Sequence, residues 1–372
     1  MFRAYKYRLY PTNKQIQVFV KNLDLCRNLY NVSLQHRRDV YKSVQRRISY
    51  NEQANELKFI RIEFPEYSKI YSQILQDVLK RVEKSYQGFF SRIKSKSSKA
   101  GFPRFKSKDR FDSFAFPQSG YRICNGNKRI RLSKIGDVKI KLHRDIPIDA
   151  KIKTCTIKRE GRHWFCILSC EIPDIKPQKK AVSNPIGIDL GLTDFAYLSD
   201  GTHVKNPKYL SKSEAELKLI QSQYSIDKTK PLKRKLSKLH RKIANQRNDF
   251  LHKTSKTLVD NYDLIAYEDL KIKKMIVDNK FDFQKSIHDA SWGKFIAMIK
   301  YKAEDAGTYA IAVNPKGTSQ KCSGCGTLVK KDLYERTHSC PVCGLCVHRD
   351  YNSALNILAS GTDAHVKEAS TF

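Results

Sequence analysis

Three carboxylates and a group of cysteines carry the chemical information in this otherwise basic chain. Asp189 sits between glycines in GIDLG, Glu268 directly follows the apolar run LIAY, and Asp350 follows the cysteine cluster in HRDYNSALNIL. Carboxylates that converge repel one another unless cations are present. Mg²⁺ prefers oxygen ligands and keeps part of its water shell, so an acid cluster beside phosphates suits it. Two such ions, about 3.5–4 Å apart, can activate a water and stabilise the leaving oxygen in phosphodiester cleavage. Taken singly, each acid reads more readily as a turn, cap or solvent-facing residue. Asp194, Asp200 and Asp269 are assigned to turns and caps for that reason. The glycines beside Asp189 leave room for a ligand to approach the backbone closely.

Cys322 and Cys325 form one CxxC, Cys340 and Cys343 a second, with fourteen residues between them. Two-residue spacers let both sulfurs of each knuckle reach one tetrahedral ion, so the four thiolates predict a closed, structural Zn²⁺ site. Gly324, Gly326 and Gly344 supply tight turns. Cys346 and His338 lie nearby and are left out of the ligand set. The scattered Cys26, Cys124, Cys155, Cys166 and Cys170 are read as small hydrophobes, which a cytosolic chain has no need to oxidise.

The chain has 372 residues, enough for two or three domains, and 71 Lys plus Arg against 37 Asp plus Glu give a formal charge of +34. That surplus repels itself unless a polyanion neutralises it, which points to nucleic acid. Apolar residues at 40% exclude wholesale disorder. No apolar run spans a bilayer, and MFRAYKYRLYP lacks the apolar core of a secretory signal, so the cytoplasm is expected and no membrane partner.

The elements that must position these residues follow from pattern. Residues 2–10 alternate as a strand stopped by Pro11, and Thr12 with Gln15 is a capping box opening a helix. A second long helix is predicted from about Ser68, with Leu75, Leu79, Val82, Tyr86, Phe89 and Ile93 on one stripe. Residues 94–110 form a basic linker in which Phe102 and Phe105 separate cations. Short strands follow over 111–178, the clearest a hairpin turning at Glu160–Gly161. They are expected to pack with the first strand, making the helices an insertion in a β-domain. From about Asn184 the order is hairpin, basic helix (228–247), strand, helix, strand and closing helix, which suits a ribonuclease-H-like layout. The chain after Gly361 reads as a loose tail.

With GIDLG, YEDL, both CxxC pairs and HRDYNSALNIL in this order, the sequence resembles the TnpB (OrfB) family of transposon-encoded nucleases, relatives of type V CRISPR effectors. FRAYKYRLYPT, GFPRFKSKDRFDSF, LHRKIANQRNDFLHKTS, SWGKF and NPKGTSQKCSGCG extend the match over residues 1–360. The resemblance implies a multidomain α+β chain. A β-barrel wedge domain (1–12 and 111–180) would carry an inserted helical recognition module with the basic linker (13–110). An RNase H-like (RuvC) nuclease domain (181–314 and 348–360) would carry an inserted zinc ribbon (315–347), with a tail at 361–372. It implies an enzyme that binds a guide RNA made from the transposon end and cuts matching double-stranded DNA beside a short transposon-adjacent motif. Asp189, Glu268 and Asp350 would be catalytic Mg²⁺ ligands; Cys322, Cys325, Cys340 and Cys343 would bind Zn²⁺. A monomer in the nucleoid of a prokaryotic host is expected. Gln73 and Gln76 are candidates for the adjacent motif, since amides suit adenine edges. Arg104, Lys106, Lys233, Arg234 and Lys235 are candidates for nucleic-acid backbones. A non-cutting DNA-binding regulator stays open as the alternative. A strand-joining transposase fits less well, because the acid order is Asp, Glu, Asp rather than Asp, Asp, Glu.

Overall fold

The structure, a computed structural model, describes residues 2–95, 100–124, 126, 128–173, 177–272, 275, 281–332 and 334–370; the side chains of residues 281–283 and 369 are not described. Part of the basic linker, residues 96–99, and the end of the tail, residues 371–372, therefore lie outside the described residues. Contacts divide the chain into two compact units, 1–174 and 175–372. No helix among the described residues is long and apolar enough to cross a membrane.

The first unit is built on a seven-stranded antiparallel sheet. β1 (Phe2–Tyr10) leads into α1 (Asn13–Val44), α2 (Tyr50–Glu63), a 3-10 turn (Pro65–Lys69) and α3 (Ser72–Lys94). β2 (Ser113–Phe116), β3 (Tyr121–Cys124), β4 (Arg129–Leu132), β5 (Gly136–Lys141), β6 (Lys151–Glu160) and β7 (His163–Glu171) follow, in the spatial order β2-β6-β7-β1-β5-β4-β3. β1 therefore lies between β7 and β5, and the helices are inserted between the first strand and the rest. The capping box forms: the Gln15 amide donates to Thr12 Oγ1 and the Thr12 amide to Gln15 Oε1 (3.0 Å). β7 alternates, sending Trp164, Cys166, Leu168 and Cys170 inward, and Phe19 of α1 meets Trp164 at 4.8 Å between ring centroids. Each such large buried side chain contributes about 1.5–3 kcal/mol.

Two expectations for these helices need correction. The second long helix begins at Ser72, because residues 65–69 form the 3-10 turn and Ser68 bonds back to the Arg61 carbonyl. Its buried stripe is Ile74, Leu75, Val78, Leu79 and Val82, while Ile93 is half exposed. The sequence also hides α2, which buries only Gln53 and Leu57 and so lacks an apolar stripe.

The second unit opens with the meander β8 (Pro185–Leu190), β9 (Asp194–Leu198) and β10 (His203–Lys205). Next come α4 (Tyr209–Lys212), α5 (Glu214–Ile226), α6 (Lys230–Asn261), β11 (Leu264–Glu268), α7 (Phe281–Ala290), α8 (Trp292–Ala306) and β12 (Tyr309–Val313). β13 (Thr337–Ser339) pairs with β14 (Cys346–His348), and α9 (Arg349–Ala369) closes the chain. The main sheet has the order β10-β9-β8-β11-β12, with β8, β11 and β12 parallel and β9 antiparallel to both its neighbours. β11 is buried along its whole length because both faces are covered, as parallel strands require. Ile265 joins Phe295 and Ile299 of α8 on one face; Leu264, Ala266 and Val313 join Ile357 of α9 on the other.

The expected loose tail is helical instead: α9 runs to Ala369. A Cβ on Gly361 would lie 2.4 Å from the Ala266 Cβ, and His365 packs on Tyr309 at 4.3 Å. The contact is made through a glycine and a histidine, so no large apolar periodicity announces it.

Candidate active site and metal centre

The acids come together through strand register and one helix. β8 and β11 are parallel neighbours with Ile188 opposite Tyr267, so Asp189 and Glu268, each one residue further, sit side by side. Adjacent strands lie about 4.8 Å apart. Gly187 shares the Asp189 face of β8 and meets α9 directly, since a Cβ there would fall 2.2 Å from the Ala354 carbonyl oxygen. The side chain of the preceding helical residue, Ser353, hydrogen-bonds Asp189. Asp350 lies one turn earlier on α9, on the same side as Ser353. The Asp350 amide donates to His348 Nδ1 (3.2 Å), which caps the helix and places a carboxylate in its favourable first turn. The glycine beside Asp189, expected to admit a ligand, admits the helix.

Charge at this site is unbalanced. Burial pushes Asp189 well above the usual carboxylate range, and the negative charges of Glu268 and Asp350 push it further; Ser353 and Arg349 oppose. Desolvation also raises Glu268, against the hydrogen bond it accepts from the Thr318 hydroxyl (2.5 Å). Asp350 is approached by Arg349 Nε (3.5 Å) and Arg336 Nη1 (3.7 Å). Two buried carboxylates that resist ionisation, with a third acid near them, are a donor set of the kind that suits a hard divalent cation.

The cysteine pairs form a second, tighter set. Cys322 and Cys343 Sγ lie 3.6 Å apart, Cys325 and Cys340 Sγ 3.5 Å, and all four sulfurs fall within 4.8 Å of one another. Zn–S bonds of about 2.3 Å would set tetrahedral edges of roughly 3.8 Å, so the thiols stand close to zinc geometry. Hydrogen bonding from Thr327, side chain then backbone, lowers the Cys325 thiol to about 6, and backbone amides of Cys343 and Val342 lower Cys340. Both shifts favour the thiolate that a metal needs. Gly326 and Gly344 take positive φ (79° and 72°) where the knuckles turn. His338 is buried with Nδ1 against Lys331, and Cys346 lies exposed on β14, so neither belongs to the set.

The candidate nucleic-acid contacts are dispersed. Gln73 Oε1 accepts from the Ser119 amide (3.3 Å), whereas Gln76, nearly one turn on, is exposed. Arg104 is exposed; the Lys106 backbone is clamped by the Asn31 side chain (2.8 and 3.0 Å). Arg38 stacks over Phe102 and Phe105, beside a cavity of about 330 Å³ whose lining includes Lys84, Arg92, Arg104 and Lys106. Lys233, Arg234 and Lys235 are exposed on α6. Sequence reasoning missed Ser353, Thr318 and Arg336, polar residues that touch the acids; only tertiary packing brings them there.

The chain is similar to several known proteins. A family described as "Probable transposase" matches residues 167–278, a "Helix-turn-helix domain" residues 1–46, and a "Cas12f1-like, TNB domain" residues 292–357. A Streptomyces pristinaespiralis protein named "Putative RNA-guided DNA endonuclease" is 31% identical across 97% of this chain and 90% of its own. The Escherichia coli K12 protein of that name, InsQ, is 30% identical across 96% and 92%. The solved mini-RNA-guided endonuclease CRISPR-Cas_phi3 has a similar fold (TM-score 0.50, 11% identity, 97% and 92% covered). Near-full-length relatives at this identity, with the matching family models, show that the chain belongs to the TnpB (OrfB) family of RNA-guided DNA endonucleases.

Proposed function

We propose that this protein is an RNA-guided, Mg²⁺-dependent endonuclease that cuts double-stranded DNA beside a short transposon-adjacent motif. One observation carries the catalytic part: Asp189 on β8 feels both Glu268 and Asp350, acids 79 and 161 positions away in the chain. Divalent ions bound there would supply Lewis-acid activation of water and stabilisation of the leaving oxygen. The chain's own residues prepare the site. Asp189, Glu268 and Asp350 present carboxylate oxygens, Ser353 and Thr318 orient two of them, and Arg349 and Arg336 hold the third. The four cysteines would hold one structural zinc with no part in the chemistry.

In this reading the five-stranded unit is the RuvC-type nuclease with residues 315–347 as its ribbon. The seven-stranded sheet is the wedge domain and its three helices the recognition module. The charge of +34 suits a guide RNA, derived from the transposon end, paired with its DNA target. Base pairing would read the sequence while the protein holds backbone and shape. Arg104 and Lys106 in the linker and Lys233, Arg234 and Lys235 on α6 are assigned to phosphates. Gln76 is assigned to the adjacent motif with Gln73 beside it.

The test is expression of the gene with its flanking DNA, followed by sequencing of the co-purified RNA and a plasmid-cleavage assay with Mg²⁺. Enriched transposon-end RNA and guide-matched cutting that disappears in Asp189→Ala are expected. A specific RNA with no cutting by the wild type would favour the regulator reading.

A further inference from the structure

The zinc-bearing segment and the acid site are joined by a run of short polar contacts. Thr318 lies at the root of the ribbon, four residues before the first cysteine, and its hydroxyl donates to Glu268 Oε1 at 2.5 Å. The same oxygen lies 3.1 Å from the Pro315 carbonyl, but a hydroxyl has one proton and the shorter, charged acceptor takes it. Glu268 and Thr318 are both buried, so neither exchanges this partner freely for water.

Helix α9 fixes where Thr318 stands. Asn356 Nδ2 donates to the Thr318 carbonyl (2.8 Å) and to the Lys321 carbonyl (2.7 Å). One turn earlier, Asn352 Nδ2 donates to the same Lys321 carbonyl (2.8 Å) and Asn352 Oδ1 accepts from the Ser323 amide (2.9 Å). Asn352 is fully buried. Two amides on one helix face thus hold the backbone on both sides of Cys322, and this helix also carries Asp350 and Ser353. All three acids are referred to a single element: Asp350 by the chain, Asp189 through Ser353, and Glu268 through Thr318 and the asparagines.

We propose that Thr318 is a positioning residue for the nuclease acids. By occupying Oε1 of Glu268 it turns Oε2 toward the space shared with Asp189 and Asp350, and the ribbon root, anchored by Asn352 and Asn356, holds it there. The zinc ribbon is then part of the scaffold of the acid site as well as an appended module. This inference rests on the reading of the three acids as a divalent-cation site.

The experiment is titration of the purified protein, with its co-purified RNA, by Mn²⁺ followed by electron paramagnetic resonance, alongside zinc content and cutting rate. Thr318→Val removes the donor and keeps the shape; Thr318→Ser keeps the donor. Loss of an oriented outer hydrogen bond commonly lowers metal affinity 10–100-fold, so Thr318→Val should bind Mn²⁺ about tenfold more weakly and cut correspondingly more slowly at limiting metal. Thr318→Ser should bind Mn²⁺ like the wild type, and all three proteins should keep the same zinc and RNA. Unchanged Mn²⁺ affinity in Thr318→Val overturns the inference, as does a serine variant no better than valine. Loss of zinc in Thr318→Val assigns the residue a purely structural role and overturns it too. A wild type that binds no Mn²⁺ refutes instead the divalent-cation reading on which the inference stands.

Discussion

Gly187 on β8 and Ala354 on α9 meet backbone to backbone. A Cβ added to Gly187 would lie 2.2 Å from the Ala354 carbonyl oxygen and 2.6 Å from the Leu358 amide nitrogen. Strand and helix can approach this closely only without a side chain between them. The approach matters because Asp189 is two residues along the same strand face, and Asp350 one turn along the same helix. The distance between two acids far apart in sequence is therefore set by a glycine.

Gly187→Ala should push α9 away from the sheet, since neither backbone group can yield locally. Overpacking of this kind destabilises by about 1–3 kcal/mol. Cutting should fall much more, because a displacement of about 1 Å can cost 10²-fold in rate. Thermal melts and plasmid cleavage check both, with Gly101→Ala as the control, its Cβ meeting nothing within 4 Å. A Gly187→Ala enzyme with wild-type cutting would mean the helix is free to adjust.

Neutralising an acid should separate activity from stability. Asp189→Asn should abolish cutting yet retain guide RNA and target DNA. In chelator it should also melt higher than the wild type, because it removes a buried charge that two neighbouring acids repel. Burial first and the two acids second disfavour that charge, so the gain should appear as a higher urea midpoint. A less stable Asp189→Asn would show that the carboxylate is compensated in the protein itself.

What was legible in the sequence follows from which signals are local. The Thr12–Gln15 box, the β6–β7 hairpin and the knuckle glycines are short-range patterns, and each forms as written. The four cysteines read directly because CxxC spacing already encodes a shared ion. Asp189 and Glu268 were readable as strand acids, but their adjacency depends on the parallel register of β8 and β11, which no spacing discloses. Helix α2 escaped because a helix that buries one leucine and one glutamine has no stripe. The second half of α9 escaped because it packs through Gly361 and His365. Thr318 and Ser353 look like ordinary polar residues until the fold puts them beside the acids.

The start of β8 is secured by an acid of another kind. Asp263 Oδ2 accepts from the Ser183 hydroxyl (2.8 Å), the Asn184 amide (3.2 Å) and the Ser183 amide (3.4 Å). The Ser183 hydroxyl first, then these amides, hold its carboxyl below the usual range. A carboxylate with a depressed folded-state pKa stabilises above its unfolded value, near 3.9, and loses that contribution as pH falls through the folded one. Asp263→Asn should therefore be less stable than the wild type at pH 7, with the gap closing below about pH 4. Urea midpoints across this range test it; a pH-independent gap would point to shape rather than charge.

The zinc site makes the last prediction. Each chain should carry one zinc by plasma mass spectrometry, and Cys325→Ser should reduce this sharply, since Cys325 is the ligand whose thiolate the fold most clearly favours. Among the described residues, 315–347 hold only the two-stranded β13–β14 pair and the isolated Lys321–Leu328 bridge as regular structure, so their order rests on metal and on a few polar contacts such as those of the α9 asparagines and Thr318. Metal binding supplies the folding free energy of such small modules. On chelation, amide exchange should accelerate first in 315–347 and later in β8 and β11, whose hydrogen bonds lie within a covered sheet. Cutting should fall with the ribbon, while co-purified RNA is retained through the basic surfaces. Full exchange protection of 315–347 in zinc-free protein would show that the ribbon folds without its ion.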